Sequence, residues 1–295
     1  MKNVKAKTNE QIAMQVSANS IAVNLMLSIF KLIAGLLASS GAMISDAIHS
    51  ASDVFSTIIV IIGVKISGKA SDEDHPYGHD RFECVASIIL AILLGVTGVG
   101  IGLTGVQKLI AGHYDTLAVP GMLALAAAVI SIVVKEIMYW YTRNAAKKIN
   151  SGALMADAWH HRSDALSSVG SFVGIFGARM GFPMLDPLAS VVICLFVVKA
   201  AVDIFRDAIS KMTDKSCDQK TVNEMHDCIM NIQGVERIDL LKTRSFGSKY
   251  YVDIEISADG NKKLWETHAI AENVHQAIEH QFPLVKHCMV HVNPA

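Results

Sequence analysis

The chain has 295 residues, of which 52% are hydrophobic and only 18% charged, with a mean hydropathy of +0.38. Soluble domains carry about 25% charged residues, so this balance excludes a disordered chain and points to membrane spans. A net charge of −1 provides no basic field for phosphate, which excludes a nucleic-acid binder.

The N-terminus is basic and polar, and without a short apolar core and a small-residue cleavage site it does not read as a signal peptide. A spanning helix needs about 20 mainly apolar residues. Six such stretches follow: Ile12 to Ala38, Ala42 to Ile66, Cys84 to Ile110, Leu117 to Tyr141, Leu154 to Gly181, and Asp186 to Ile209. Breaker residues at Ser39-Ser40-Gly41, Val119-Pro120-Gly121 and Gly181-Phe182-Pro183 divide them. Basic residues fall on alternate connections: Lys2, Lys5 and Lys7, then Lys65, Lys69 and Arg81, then Arg143, Lys147 and Lys148. The positive-inside rule places that side, and both termini, in the cytoplasm. Cys84, Cys194, Cys217, Cys228 and Cys288 are odd in number with no Cys-x-x-Cys pair, so they read as reduced thiols.

The composition changes after Lys211. Residues 1–212 read as a transmembrane domain with six helices, and residues 213–295 as a cytoplasmic domain. In that tail Gln219–Ile232 and Leu264–Phe282 have helical period. Val235–Arg244, Lys249–Ser257 and Lys286–Val292 read as strands, the first two joined at Phe246-Gly247-Ser248. The order α-β-β-α-β predicts a small α+β layer with helices on one face of a sheet.

Charged residues inside the apolar runs carry the chemistry. His49 and Asp53 are four apart on the second helix, about 6 Å along its axis, and so share a face. His160 and Asp164 repeat that spacing on the fifth. Ionisable groups at membrane depth normally face the bundle interior and mark an ion path. Two imidazoles and two carboxylates form a four-ligand set suited to tetrahedral Zn²⁺. Asp46 shares the His49 side and reads as a hydrogen-bond partner. His161, three from Asp164, competes with His160 for the ligand role. The connection between the second and third helices carries Asp72, His75 and His79, with Pro76 and Gly78 making a tight turn that can aim both imidazoles inward. The tail adds Asp239, Asp253, Glu255, His268, His275, His280, His287 and His291. His268 and His291 fall on the last helix and last strand. Asp253 and Glu255 are two apart on one strand and point to one side, so all four could converge on a single cation.

The segments Ser45–Asp53, Asp72–His79 and Ala156–Asp164, with six spans and a tail of this strand order, resemble the cation diffusion facilitator family of divalent-metal/proton antiporters. The resemblance covers nearly the whole chain. It implies a transport site at His49, Asp53, His160 and Asp164, and a loop site at Asp72, His75 and His79. It further implies a metallochaperone-like tail that dimerises and can bind metal. Arg81 and Asp214 match positions that interlock charge in the family. The tail departs from the bacterial zinc exporters: Asp239 and Glu255 stand where those place histidines, and Asn293 stands for an aspartate. His268 and His291 match ligand positions, so the implied tail site is Asp239, Asp253, Glu255, His268 and His291.

The expected function is export of a divalent transition metal from the cytoplasm across the inner (plasma) membrane in exchange for protons. Zn²⁺ is the leading substrate and a possible regulatory ligand, with Cd²⁺, Co²⁺ or Fe²⁺ also open. Partners are the metal ions, protons, the lipid bilayer and a second copy in a homodimer; no organic cofactor is expected. A manganese exporter of the same family, with more oxygen ligands, is one alternative. A membrane-bound metal sensor or assembly scaffold without transport is another. No His-Glu-x-x-His is present to support an intramembrane metalloprotease.

Overall fold

Long apolar runs broken by turn residues fold as six consecutive helices: α1 (Asn9–Leu37), α2 (Gly41–Ser67), α3 (Phe82–Ala111), α4 (Met122–Ile149), α5 (Gly152–Arg179) and α6 (Leu185–Met212). The computed structural model describes residues 8–37, 41–111, 122–179 and 184–295. The expected breaker turns at 39–40, 119–121 and 181–183 lie outside the described residues. The chain divides into two units, Met1–Ala208 and Ile209–Ala295.

In the helical unit α1 packs on α2 and α4, α4 on α5, and α3 on α2 and α5. The buried side of α3, with Cys84, Ser87, Leu90, Leu94, Gly98 and Gly102, recurs every three or four residues, one stripe of a helix. It joins Val60, Leu154 and Val197 in a common core. The opposite surface exposes Leu36, Phe55, Val96, Leu103, Leu195 and Phe196. So much outward apolar surface suits hydrocarbon rather than water. Among the described residues, Asn9–Ala34, Phe82–Ala111 and Pro187–Met212 are long and apolar enough to cross a membrane.

Glycine lets α3 and α6 approach closely. A Cβ on Gly98 would lie 2.8 Å from Val197 Cγ1, and one on Gly102 would lie 2.5 Å from Cys194 Sγ. Small residues four apart are the usual means by which membrane helices bring their backbones together.

The fourth helix corrects the expected boundary. It runs to Ile149 instead of ending at Tyr141, so Arg143, Lys147 and Lys148 lie on its last turns and not in a connection. Helical period continues through this stretch, with Thr142, Ala146 and Ile149 buried in step. The helix stops at Asn150, whose φ of 55° is left-handed, and Ser151 N–H returns to the Ala146 carbonyl at 2.9 Å. That bond closes the helix end, and Ser151 Oγ then accepts from Leu154 N–H to start α5.

In the second unit the order is α7 (Gln219–Met230), β1 (Arg237–Phe246), β2 (Lys249–Ala258), α8 (Leu264–Gln281) and β3 (Val285–Pro294). Strands β1 and β2 form an antiparallel hairpin, and Gly247 takes the positive φ that its two-residue turn requires. Strand β3 lies parallel to β2, which demands the crossover that α8 supplies. Met225, Ile229, Ile270, Val274 and Ile278 from the helices cover Val252, Ile254, Ile256 and Cys288 of the sheet. All five cysteines are free thiols, and burial pushes the Cys288 thiol up to about 12.

The close approach of α3 and α6 predicts the effect of bulk there. Gly102→Leu should destabilise the helical unit by about 1–3 kcal/mol through overpacking. Gly100→Ala, where nothing lies within 4 Å, should be neutral or slightly stabilising. Thermal unfolding of the detergent-solubilised chain compares the two.

Candidate metal sites

Helix α2 contributes Asp53 and helix α5 contributes His160 and Asp164, one turn apart, to a buried cluster whose donor atoms all lie within 4.8 Å of one another. His160 Nε2 is 3.4 Å from Asp53 Oδ1. The side chains of His49 and Asp46 lie outside the described residues, so the fourth expected ligand is not placed. Two carboxylates in the bundle interior need positive charge nearby, and Lys135 of α4 supplies it. Its Nζ donates to Asp53 Oδ2 at 2.5 Å and to Asp164 Oδ2 at 2.9 Å. Lys135 and Asp53 are each 2% exposed.

Lys135 belongs to this cluster but does not follow from the spacing of ligand-type residues. It was visible as a lone cation in Ile132-Val133-Val134-Lys135, but nothing in one sequence showed that α4 packs beside α5 at that level.

The structure groups His160 with Asp53 and Asp164, and turns His161 elsewhere. His161 is fully buried with Nε2 3.5 Å from Asp157 Oδ2. Thr57 Oγ1 donates to Asp157 Oδ1 at 3.1 Å. His160 and His161 are neighbours in sequence, so a helix must send them to faces about 100° apart.

The loop before α3 gathers Asp72, His75 and His79 within the same 4.8 Å limit. His75 Nδ1 lies 3.2 Å from Asp72 Oδ1, and His79 Nε2 lies 3.4 Å from Asp72 Oδ2. His79 Nδ1 is 3.1 Å from the Ala70 carbonyl oxygen. A carbonyl only accepts, so that contact puts the proton on Nδ1 and leaves Nε2 free to ligate. His75 N–H donates to Asp72 at 2.7 Å and, before the two imidazoles, is what lowers the Asp72 carboxyl. Gly78, with φ of 88°, makes the turn between the two histidines.

The expected tail ligands separate. His268 and His291 line one cleft of about 450 Å³ beside β3, together with Asn293. Asp253 and Glu255 alternate with the buried Val252, Ile254 and Ile256, so they face away from the helices, and neither lines that cleft. Glu255 is level with His291 on the neighbouring strand. Asp239 is already engaged: it accepts from Ser257 at 2.6 Å, Arg237 at 2.6 Å and Asn293 at 3.0 Å. These bonds, that from Ser257 foremost, hold its carboxyl at about 2.

The cation efflux transmembrane domain matches residues 17–213, and the cation efflux protein cytoplasmic domain matches residues 217–295. The chain is 33% identical to the manganese efflux system protein MneP of Bacillus subtilis, covering 98% of each. It is 33% identical to metal tolerance protein C1 of Arabidopsis thaliana, over 91% of this chain and 60% of that protein. It is 30% identical to the magnetosome protein MamB of a Magnetospira strain, over 92% of each.

Two predictions follow from the charges. Lys135→Met leaves Asp53 and Asp164 buried without a cation and should cost about 3–5 kcal/mol in thermal unfolding. The same substitution in an Asp53→Asn background should cost clearly less. In the tail, the folded Asp239 pKa lies below its unfolded value, so its bonds stabilise above about pH 4 and are lost as pH falls towards about 2. Hydrogen exchange of β1 and β3 peptides should therefore quicken over that window, and Asp239→Asn should flatten the change.

Proposed function

Because the chain belongs to the cation efflux family of divalent-metal transporters, we propose that it exports Zn²⁺ from the cytoplasm in exchange for protons. The observation that carries this reading is the buried Asp53, His160 and Asp164 cluster at the junction of α2 and α5. His49 on α2 is proposed as the fourth ligand. An N₂O₂ set of this kind favours Zn²⁺.

Lys135 balances the two carboxylates. A divalent ion entering between Asp53 and Asp164 replaces that ammonium as their partner, which frees Lys135 to withdraw. Metal loading requires a neutral imidazole on His160, so binding releases protons and protonation favours discharge. Access must alternate between the two membrane faces around the fixed ligands.

Transport resides in residues 1–212, with residues 213–295 as the cytoplasmic regulatory part. The chain works as a homodimer in the inner (plasma) membrane with both termini in the cytoplasm. Its tail, a small sheet with one open face, can pair isologously with a second copy.

Manganese export is the second reading, favoured by the likeness to MneP, which is named for that ion. Proteoliposome flux with an imposed pH gradient and a panel of Zn²⁺, Cd²⁺, Co²⁺, Fe²⁺ and Mn²⁺ separates the readings. Zinc flux coupled to the gradient is expected, and Asp53→Ala or Asp164→Ala should each abolish it. Flux of manganese alone would replace zinc as substrate. Metal binding with no flux of any ion would make the chain a sensor or scaffold.

A further inference from the structure

Helix α8 and strand β3 bring a third group of metal-type donors together, apart from the cleft that holds His268 and His291. Glu279 Oε1 lies 3.4 Å from His275 Nε2 and 3.7 Å from His287 Nδ1. His275 and Glu279 are four apart on α8 and share a face. His287 comes from the start of β3, where a register shift breaks the alternation. There Val285 and Cys288 turn inward while Lys286 and His287 turn out.

The tautomer of His275 is set by its neighbour. Its Nδ1 is 2.7 Å from the Cys288 carbonyl oxygen, which can only accept. The proton therefore sits on Nδ1, and a neutral ring presents the lone pair of Nε2 to the Glu279 carboxylate. A neutral ring facing a carboxylate at 3.4 Å is satisfied by a proton on Nε2 or by a cation held between the two. The carboxylate is fixed as well, since Cys288 N–H donates to Glu279 Oε1 at 3.1 Å. One residue of backbone thus orients both ligands, an arrangement typical of the outer partners of a metal site.

The two distances through Glu279 approach those around a small ion. Ligands about 2.0–2.1 Å from a tetrahedral centre lie about 3.3 Å from each other. The 3.4 Å edge already fits; the half-exposed His287 ring must turn to shorten its 3.7 Å edge and to bring its nitrogen towards His275, whose ring centre lies 5.9 Å away. All three side chains are 31–48% exposed, so water can fill the remaining position.

We propose that His275, Glu279 and His287 form a zinc-class cation site on the cytoplasmic domain, tying the end of α8 to the start of β3. Two imidazoles and one carboxylate select Zn²⁺ or Co²⁺ over Mn²⁺ or Mg²⁺. The site stands apart from the transport reading and holds whether or not the chain moves metal.

The test counts zinc bound per chain by equilibrium dialysis of the detergent-solubilised full chain. His275→Ala/His287→Ala, checked for wild-type elution in size exclusion, should lose one ion per chain. Glu279→Gln keeps an oxygen for the Cys288 N–H but removes the charge, and should weaken that same ion by about 10-fold or more. Mn²⁺ at equal concentration should leave the site unfilled. An unchanged zinc count and affinity in both variants would overturn the site, and equal filling by Mn²⁺ would overturn its metal class. Zinc flux through the double variant is a separate readout and bears only on transport.

Discussion

Two ionised carboxylates cannot lie side by side inside a helical bundle without a cation close to both. Asp53 and Asp164 meet that constraint through Lys135, which reaches both from a third helix. The requirement links α2, α4 and α5 through one side chain. On the proposed function it would also set the terms for an incoming metal, which must offer the carboxylates more than the ammonium does. On the proposed function Lys135 would act as a tethered competitor of the ion. An ion that binds carboxylates only weakly would leave the lysine in place.

The loop and the tail use a different device. Both His79 and His275 turn Nδ1 towards a backbone carbonyl, of Ala70 and Cys288 respectively, and aim Nε2 at a carboxylate. No buried lysine is needed there, because solvent screens the exposed carboxylates of Asp72 and Glu279. The buried cluster is balanced by charge, and the outer ones are arranged by backbone geometry.

Element type and order were legible in the sequence because apolar length and period are strong local signals. The tail's α-β-β-α-β order appears as expected, and the repeated His-x-x-x-Asp spacing led to Asp53, His160 and Asp164. The end of α4 was not legible. Its last turns are basic and look like a connection, yet Thr142, Ala146 and Ile149 keep them helical by packing inward. The choice between His160 and His161 also needed the structure, since only the packing of α2 against α5 shows which face meets Asp53. Lys135 escaped for the same reason. In the tail, the ligand-type residues could be named, but which ones meet depends on the bulge at His287 and on the bonds that engage Asp239.

The single left-handed residue between α4 and α5 has a mechanical meaning. Asn150 and the bond from Ser151 to Ala146 leave almost no slack, so the two helices form one stiff hairpin. Lys135 and Asp164 both ride on that hairpin, whereas Asp53 rides on α2. If the cluster opens in the proposed transport cycle, this link would keep Lys135 and Asp164 together and part them from Asp53. On the proposed function, the stroke would be read as the distance between one carboxylate and a unit that carries the other two charges.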